Sequence, residues 1–158
     1  GMEVIKVAKA LGMNILIHTR TPKADGDGVH YVSLDELLEY SDYITLHCPL
    51  NEQTKHMINK DTIAKMKSSA VIINTGRGAL INEADLCEAL VAKRIAGAGL
   101  DVQEAEPPAE DSSLYTLDNV IITPHMGWKG LETRQRLVGI IRDNVQAFLK
   151  GKPINVVS

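Results

Sequence analysis

Apolar residues fall along the chain in two alternating rhythms. Val4, Val7, Ala8 and Leu11 recur at helical spacing, and Gly12 stands where such a helix would be capped. Asn14 to His18 reads as a short buried strand, and Thr21 to Gly28, rich in Gly, Pro and Asp, as a loop. Ser33 with Glu36 predicts a capping box opening a helix through Leu34, Leu37 and Leu38. Tyr43 to His47 predicts a second strand, stopped by Pro49, and Asn59 to Met66 a short helix. Ala70 to Asn74 predicts a third strand. Asn82 with Asp85 caps a helix carrying Leu86, Ala89 and Leu90. Ala96 to Val102 and Val120 to Thr123 predict a fourth and a fifth strand. A long helix follows, with Leu137, Val138, Ile141, Val145 and Phe148 on one face and Gly151 just past its end.

The strands begin near positions 14, 43, 70, 97 and 120. That is a repeat of roughly 25–30 residues, the size of a strand–helix–strand unit. They are continuous aliphatic runs rather than alternating ones, as in a parallel sheet covered by helices on both faces. The expected fold is a doubly wound α/β domain; an α+β domain with an antiparallel sheet is the alternative.

Composition narrows the function classes. With 158 residues, 44% apolar and 23% charged, the chain suits one globular domain with a real core. A net charge of −3 implies no basic face for a nucleic-acid backbone. The longest aliphatic run, Ala70 to Ile73, spans no bilayer, and no secretory leader is visible. Cys48 and Cys87 show no CxxC spacing, and His30, His47 and His56 are spread singly. Neither a disulfide framework nor a metal cluster is expected, and a reducing cytoplasm is the default location.

In such sheets the ligand sits beyond the carboxyl ends of the strands. The residues there are Thr19-Arg20, Cys48-Pro49-Leu50, Thr75-Gly76-Arg77-Gly78, Asp101 with Glu104 and Glu106, and Pro124-His125-Met126-Gly127. Taken singly, Arg77 could be a solvated loop residue, Glu106 a loop acid before two prolines, and His125 an ordinary surface histidine. Together on one rim they form an acid or base, an anion clamp and a carboxylate partner.

Three of these loops resemble segments of the D-isomer-specific 2-hydroxyacid dehydrogenase family. Ile73-Asn74-Thr75-Gly76-Arg77-Gly78 is similar to its arginine segment. Gly99-Leu100-Asp101-Val102, followed by Glu106-Pro107, is similar to its glutamate segment, and Thr123-Pro124-His125-Met126-Gly127 to its histidine segment. Trp128 and the stretch from Glu132 to Leu137 look most like the glycerate dehydrogenase (hydroxypyruvate reductase) branch. The resemblance covers essentially the whole chain.

It implies a Rossmann-type fold and hydride exchange between NAD or NADP and a small 2-oxo or 2-hydroxy acid. Reduction of the 2-oxo acid leaves negative charge on the carbonyl oxygen, so a proton donor must stand there, and histidine suits that task. The resemblance gives this role to His125. Glu106 would pair with its far ring nitrogen, fixing the tautomer and favouring the charged ring. Arg77 would offer a planar fork to the substrate carboxylate. Along the cofactor groove it places Gly1, Thr19, Arg20, Cys48, Pro49, Thr54, Thr75, Gly76, Arg77, Asp101, His125 and Gly127. For Cys48, a small buried side chain at a strand end is an equal reading.

The family's Gly-rich turn and the strand before it have no counterpart here; Gly1 would be the third glycine of that turn, or a residue left by cloning. The expected division is residues 1–150 as a partial dinucleotide-binding domain and 151–158 as a tail returning to a separate substrate domain. Such a chain should be weakly active or inactive alone, and should self-associate through open strand edges. Thr19 stands where an NAD-selective acid is expected, and Arg20 beside it favours NADP use. A non-catalytic, dinucleotide-sensing interaction module of the same fold is the alternative, and a bare self-associating fragment a third.

Overall fold

The computed structural model describes residues 1–157; Ser158, the last residue of the expected tail, lies outside the described residues. The elements run α1 (Met2–Ala10), β1 (Ile15–Ile17), β2 (Val29–Tyr31), α2 (Leu34–Tyr40), β3 (Tyr43–Leu46), α3 (Lys60–Ile63), β4 (Val71–Asn74), α4 (Glu83–Val91), β5 (Gly97–Leu100), β6 (Val120–Ile122) and α5 (Leu131–Leu149). Two 3-10 turns, Gly78–Leu80 and Ser113–Thr116, precede α4 and β6. The chain divides into two compact units, Gly1–His125 and Met126–Ser158.

All strand pairing between named strands is parallel, as the aliphatic runs predict. In the first unit β3, β4, β5 and β6 form one four-stranded sheet in sequence order, with Ile44 opposite Ile72 and Ile72 opposite Ala98. β1 and β2 form a separate two-stranded ladder, Leu16 opposite His30. β1 and β3 therefore each carry a strand on one edge only among the described residues. One strand was not expected: β2, Val29–Tyr31, directly follows the Thr21 to Gly28 loop. Several elements are also shorter than their sequence runs; the fourth expected strand, Ala96 to Val102, contributes only Gly97–Leu100.

Leu38, Ile44, Leu46, Ile72, Leu80 and Leu90 make the centre of the core, each 6% exposed or less. Burying each such side chain stabilises the fold by roughly 1.5–3 kcal/mol before conformational entropy is counted. Local capping then sets where helices start and stop. Ser33 Oγ accepts from Glu36 N–H at 3.2 Å while Glu36 Oε2 accepts from Ser33 N–H at 2.9 Å, the predicted capping box. Asn82 Oδ1 accepts from Asp85 N–H at 3.1 Å at the start of α4. At the end of α1, Gly12 takes a φ of +74°, and the N–H groups of Gly12 and Met13 close back on Lys9 and Ala8. A side chain in that left-handed conformation would be strained, which is why glycine ends this helix.

In the second unit α5 buries none of its residues. Leu137, Val138, Ile141, Val145 and Phe148 are each at least half exposed along it.

Candidate functional site

The carboxyl ends of β4, β5 and β6 are joined beyond the regular sheet. Asp101 N–H donates to the Asn74 carbonyl, and Thr123 N–H to the Leu100 carbonyl, both at 2.9 Å. Thr123 Oγ1 donates to the buried Asp101 carboxylate at 2.5 Å. Loops leaving these strands therefore start from a fixed edge.

The loop after β4 carries Arg77. Asn74 ends the strand with its side chain fully buried, a costly place for a carboxamide unless its groups are paired. It is paired with the loop itself: Oδ1 accepts from Gly76 N–H at 3.1 Å, and Nδ2 donates to the Arg77 carbonyl at 2.9 Å. The exposed guanidinium makes one hydrogen bond, Nη1 to the Gly76 carbonyl at 2.8 Å. Its remaining donors have no partner among the described residues. Gly78 packs directly on the Gln103–Glu104 peptide, and a Cβ there would overlap the Gln103 carbonyl. Glycine at this position is what lets the arginine loop lie against the glutamate loop.

The glutamate loop meets the histidine. Glu106 Oε2 lies 2.7 Å from His125 Nδ1. Both side chains are about two-fifths exposed, so the pair sits at the surface of the rim. An ionised carboxylate can only accept, so Nδ1 carries the hydrogen and Nε2 is the nitrogen turned away from Glu106. Glu106 Oε1 also receives the Gln103 N–H at 3.4 Å. His125 sits in a tight turn, its N–H on the Thr123 carbonyl at 3.0 Å and its φ at +48°.

A second imidazole–carboxylate pair stands beside the first and was not foreseen. His56 Nε2 lies 2.6 Å from Glu104 Oε1, two residues before Glu106. Burial works against the charged Glu104 carboxylate, but the His56 bond, the Glu83 N–H and the nearby His56 and Lys55 charges outweigh it and hold its pKa below the ordinary value. His56 and Glu104 are 48 positions apart, so only the tertiary fold could reveal the pair. Asn74 carried a weaker signal: a polar residue closing an aliphatic strand.

The other expected cofactor residues are dispersed over several loops. Thr19 and Arg20 follow β1 and are exposed. Cys48 follows β3, half-buried, its thiol 3.5 Å from Met57 Sδ; burial pushes its pKa up, so it is a neutral packing group rather than a thiolate. Thr54 Oγ1 donates to the Pro49 carbonyl at 2.7 Å and accepts from Asn51 N–H at 2.9 Å, closing its own loop. Thr75 is exposed beside Gly76. At Gly1 a side chain would meet the His47 ring at ordinary contact distance, 3.7 Å, so local space does not demand glycine. Gly127 belongs to the second unit.

Comparison with known proteins gives this geometry a family. Residues 1–127 match the family described as D-isomer specific 2-hydroxyacid dehydrogenase, NAD binding domain. A hydroxypyruvate reductase of Blautia hydrogenotrophica is 46% identical over 160 residues, covering 100% of this chain and 50% of that protein. A glycerate dehydrogenase of Methylorubrum extorquens is 46% identical over 159 residues, covering 99% of this chain and 49% of that protein. Among solved structures, an acyclic imino acid reductase in complex with NADPH and D-Arg superposes with a TM-score of 0.90 at 34% identity, over 100% of this chain and 50% of that one. The chain thus spans about half the length of the curated relatives it matches. Since the family match takes in 127 of the 158 residues, the chain belongs to the D-isomer specific 2-hydroxyacid dehydrogenases, within their NAD binding domain.

Proposed function

We propose that the protein carrying this chain reduces small 2-oxo acids to 2-hydroxy acids, hydroxypyruvate to D-glycerate first among them, using a nicotinamide dinucleotide. The observation that carries this reading is the His125–Glu106 pair at 2.7 Å, on the same rim as an arginine fork with spare donors. His125 gives the proton on Nε2 to the carbonyl oxygen as that oxygen gains charge. Glu106 accepts the hydrogen on the opposite nitrogen and so leaves Nε2 as the donating atom of the imidazolium. Arg77 grips the substrate carboxylate through paired N–H donors.

The residues at the ends of these parallel strands fit a dinucleotide: exposed hydroxyls and a guanidinium after β1, and a polar loop after β4. When bound, the dinucleotide supplies the hydride. Thr19 and Arg20 would hold its adenosine end; Gly1, Cys48, Pro49, Thr54, Thr75, Gly76 and Asp101 would line the groove, and Gly127, in the second unit, is a separate candidate contact. Residues 1–150 act as part of the dinucleotide-binding domain, and 151–158 lead back to a substrate domain. No helix among the described residues is long and apolar enough to cross a membrane, and Cys48 and Cys87 are free thiols, which suits a reducing cytoplasm.

The deciding experiment follows NADH and NADPH oxidation with hydroxypyruvate and glyoxylate, in the complete protein and in this chain. Turnover by the complete protein, with little or none by the chain, is expected. Dinucleotide binding with no turnover on any 2-oxo acid would instead favour a sensing module. The same assay reads cofactor choice. An acid at the position of Thr19 would repel a 2′-phosphate, whereas Arg20 can pair with one. Arg20→Ala should lower the NADPH/NADH ratio of kcat/KM roughly tenfold or more, the worth of one charged hydrogen bond. A wild-type ratio below about 0.01 that the variant leaves unchanged overturns NADP use.

Self-association is the second expectation from this reading. β1 and β3 each present an edge without a strand among the described residues, and such edges template pairing with another chain. Sedimentation of the 158-residue chain should show a dimer or larger species. A stable monomer at micromolar concentration contradicts it.

A further inference from the structure

We infer that His56 is a positioning residue: through Glu104 it braces the loop that carries Glu106, and so fixes which nitrogen His125 turns outward. The inference rests on the proposed role of His125, but its test does not require activity.

The loop needs such a brace. Residues 104–107 are all exposed, so no buried side chain anchors this stretch to the core. Beyond the packing of Gly78 on the Gln103–Glu104 peptide, its position depends on polar contacts. Glu104 makes these with both carboxylate oxygens: Oε1 with His56 Nε2 at 2.6 Å, and Oε2 with Glu83 N–H at 3.3 Å at the start of α4. Its own N–H donates to Glu83 Oε2 at 3.0 Å. Two residues on, Glu106 holds His125.

His56 is itself held on several sides. Its N–H donates to the Ala79 carbonyl at 2.8 Å, in the turn just after Arg77 and Gly78. Its carbonyl accepts from Asn59 Nδ2 at 2.9 Å. Its φ is +51°, a left-handed conformation that is costly for a residue with a side chain. A glycine would remove that cost, but it would also remove the imidazole that reaches Glu104. One residue thus ties the arginine turn to the glutamate loop: its backbone holds the first and its side chain the second.

The experiment uses this chain, labelled with 15N, and reads the two ring nitrogens of His125 at alkaline pH, where the ring is neutral. In the wild type the hydrogen should sit on Nδ1, facing Glu106, as a single tautomer. In His56→Ala the loop loosens and that single-tautomer signature should be lost, the two nitrogen shifts moving toward each other. His56→Gln, which can still donate to Glu104, should restore it. Wild-type nitrogen shifts in His56→Ala overturn the inference. So does loss of the signature in His56→Gln as complete as in His56→Ala, because the bond to Glu104 is then not what matters. Glu104→Ala breaks the same contact from the other side and decides the case if His56→Ala does not fold. It must lose the signature too, and wild-type shifts there overturn the inference. In the complete protein, His56→Ala should lower kcat about tenfold with little change in KM, less than the roughly hundredfold loss that a 1 Å misplacement of reacting groups can cause. Failure of the proposed reaction removes this kinetic arm alone and leaves the spectra decisive.

Discussion

His125→Asn is expected to lower turnover of 2-oxo acids by roughly 10²–10⁴-fold in the complete protein, the usual worth of a general acid. Asparagine is chosen on structural grounds. His125 has a φ of +48°, a left-handed conformation that asparagine tolerates better than most residues, so the turn need not move. The carboxamide can still donate toward Glu106, which now meets His125 Nδ1 at 2.7 Å. What disappears is the ring nitrogen on the far side, the one that would carry the transferable proton. Cofactor affinity, which does not depend on that proton, should stay within about twofold by calorimetry. The measurement is steady-state reduction of hydroxypyruvate, glyoxylate and a longer 2-oxo acid. Turnover within about twofold of wild type on all three would sink the assignment of His125.

That prediction could be framed from the sequence because His125 lies just past a strand end, three residues beyond β6, and strand ends in a parallel sheet are where ligands bind. The same rule singled out Arg77 and Glu106 as candidates. Continuous aliphatic runs marked β3, β4, β5 and β6, although burial along them alternates: in β4, Ile72 and Asn74 are buried while Val71 and Ile73 are half-buried. Ser33 with Glu36, Asn82 with Asp85, and Gly12 marked helix ends because capping is a contact between near neighbours in sequence. β2 was not legible for the opposite reason. Val29–Tyr31 is three residues long with His30 at its centre, too short for any period, and it becomes a strand by pairing with β1. The brace on the site was hidden likewise. Asn74 reads as the polar end of a strand until its carboxamide is seen bridging Gly76 and Arg77. The His56–Glu104 pair joins two loops that no local pattern connects.

Arg77→Lys should raise KM for 2-oxo acids roughly 10–100-fold. The substitution keeps a positive charge and changes only how it is presented. A guanidinium is planar and offers paired donors that match both oxygens of a carboxylate; an ammonium is a point charge on a flexible stem. Losing one charged hydrogen bond of about 1.5–3 kcal/mol accounts for the expected range. The loop itself should survive, because its shape does not depend on the arginine side chain. Asn74 holds the Gly76 N–H and the Arg77 carbonyl, and Gly78 keeps its close packing on the Gln103 peptide. The guanidinium adds only one bond to this frame, to the Gly76 carbonyl. A melting temperature within a few degrees of wild type is therefore expected alongside the kinetic change. Substrates divide the possible roles further. If Arg77 grips the carboxylate, hydroxypyruvate and glyoxylate, which share that group, should weaken by similar factors, and the affinity for the dinucleotide alone should be preserved. A KM unchanged for both acids would remove Arg77 from the substrate site. A loss confined to dinucleotide binding would move it to the cofactor.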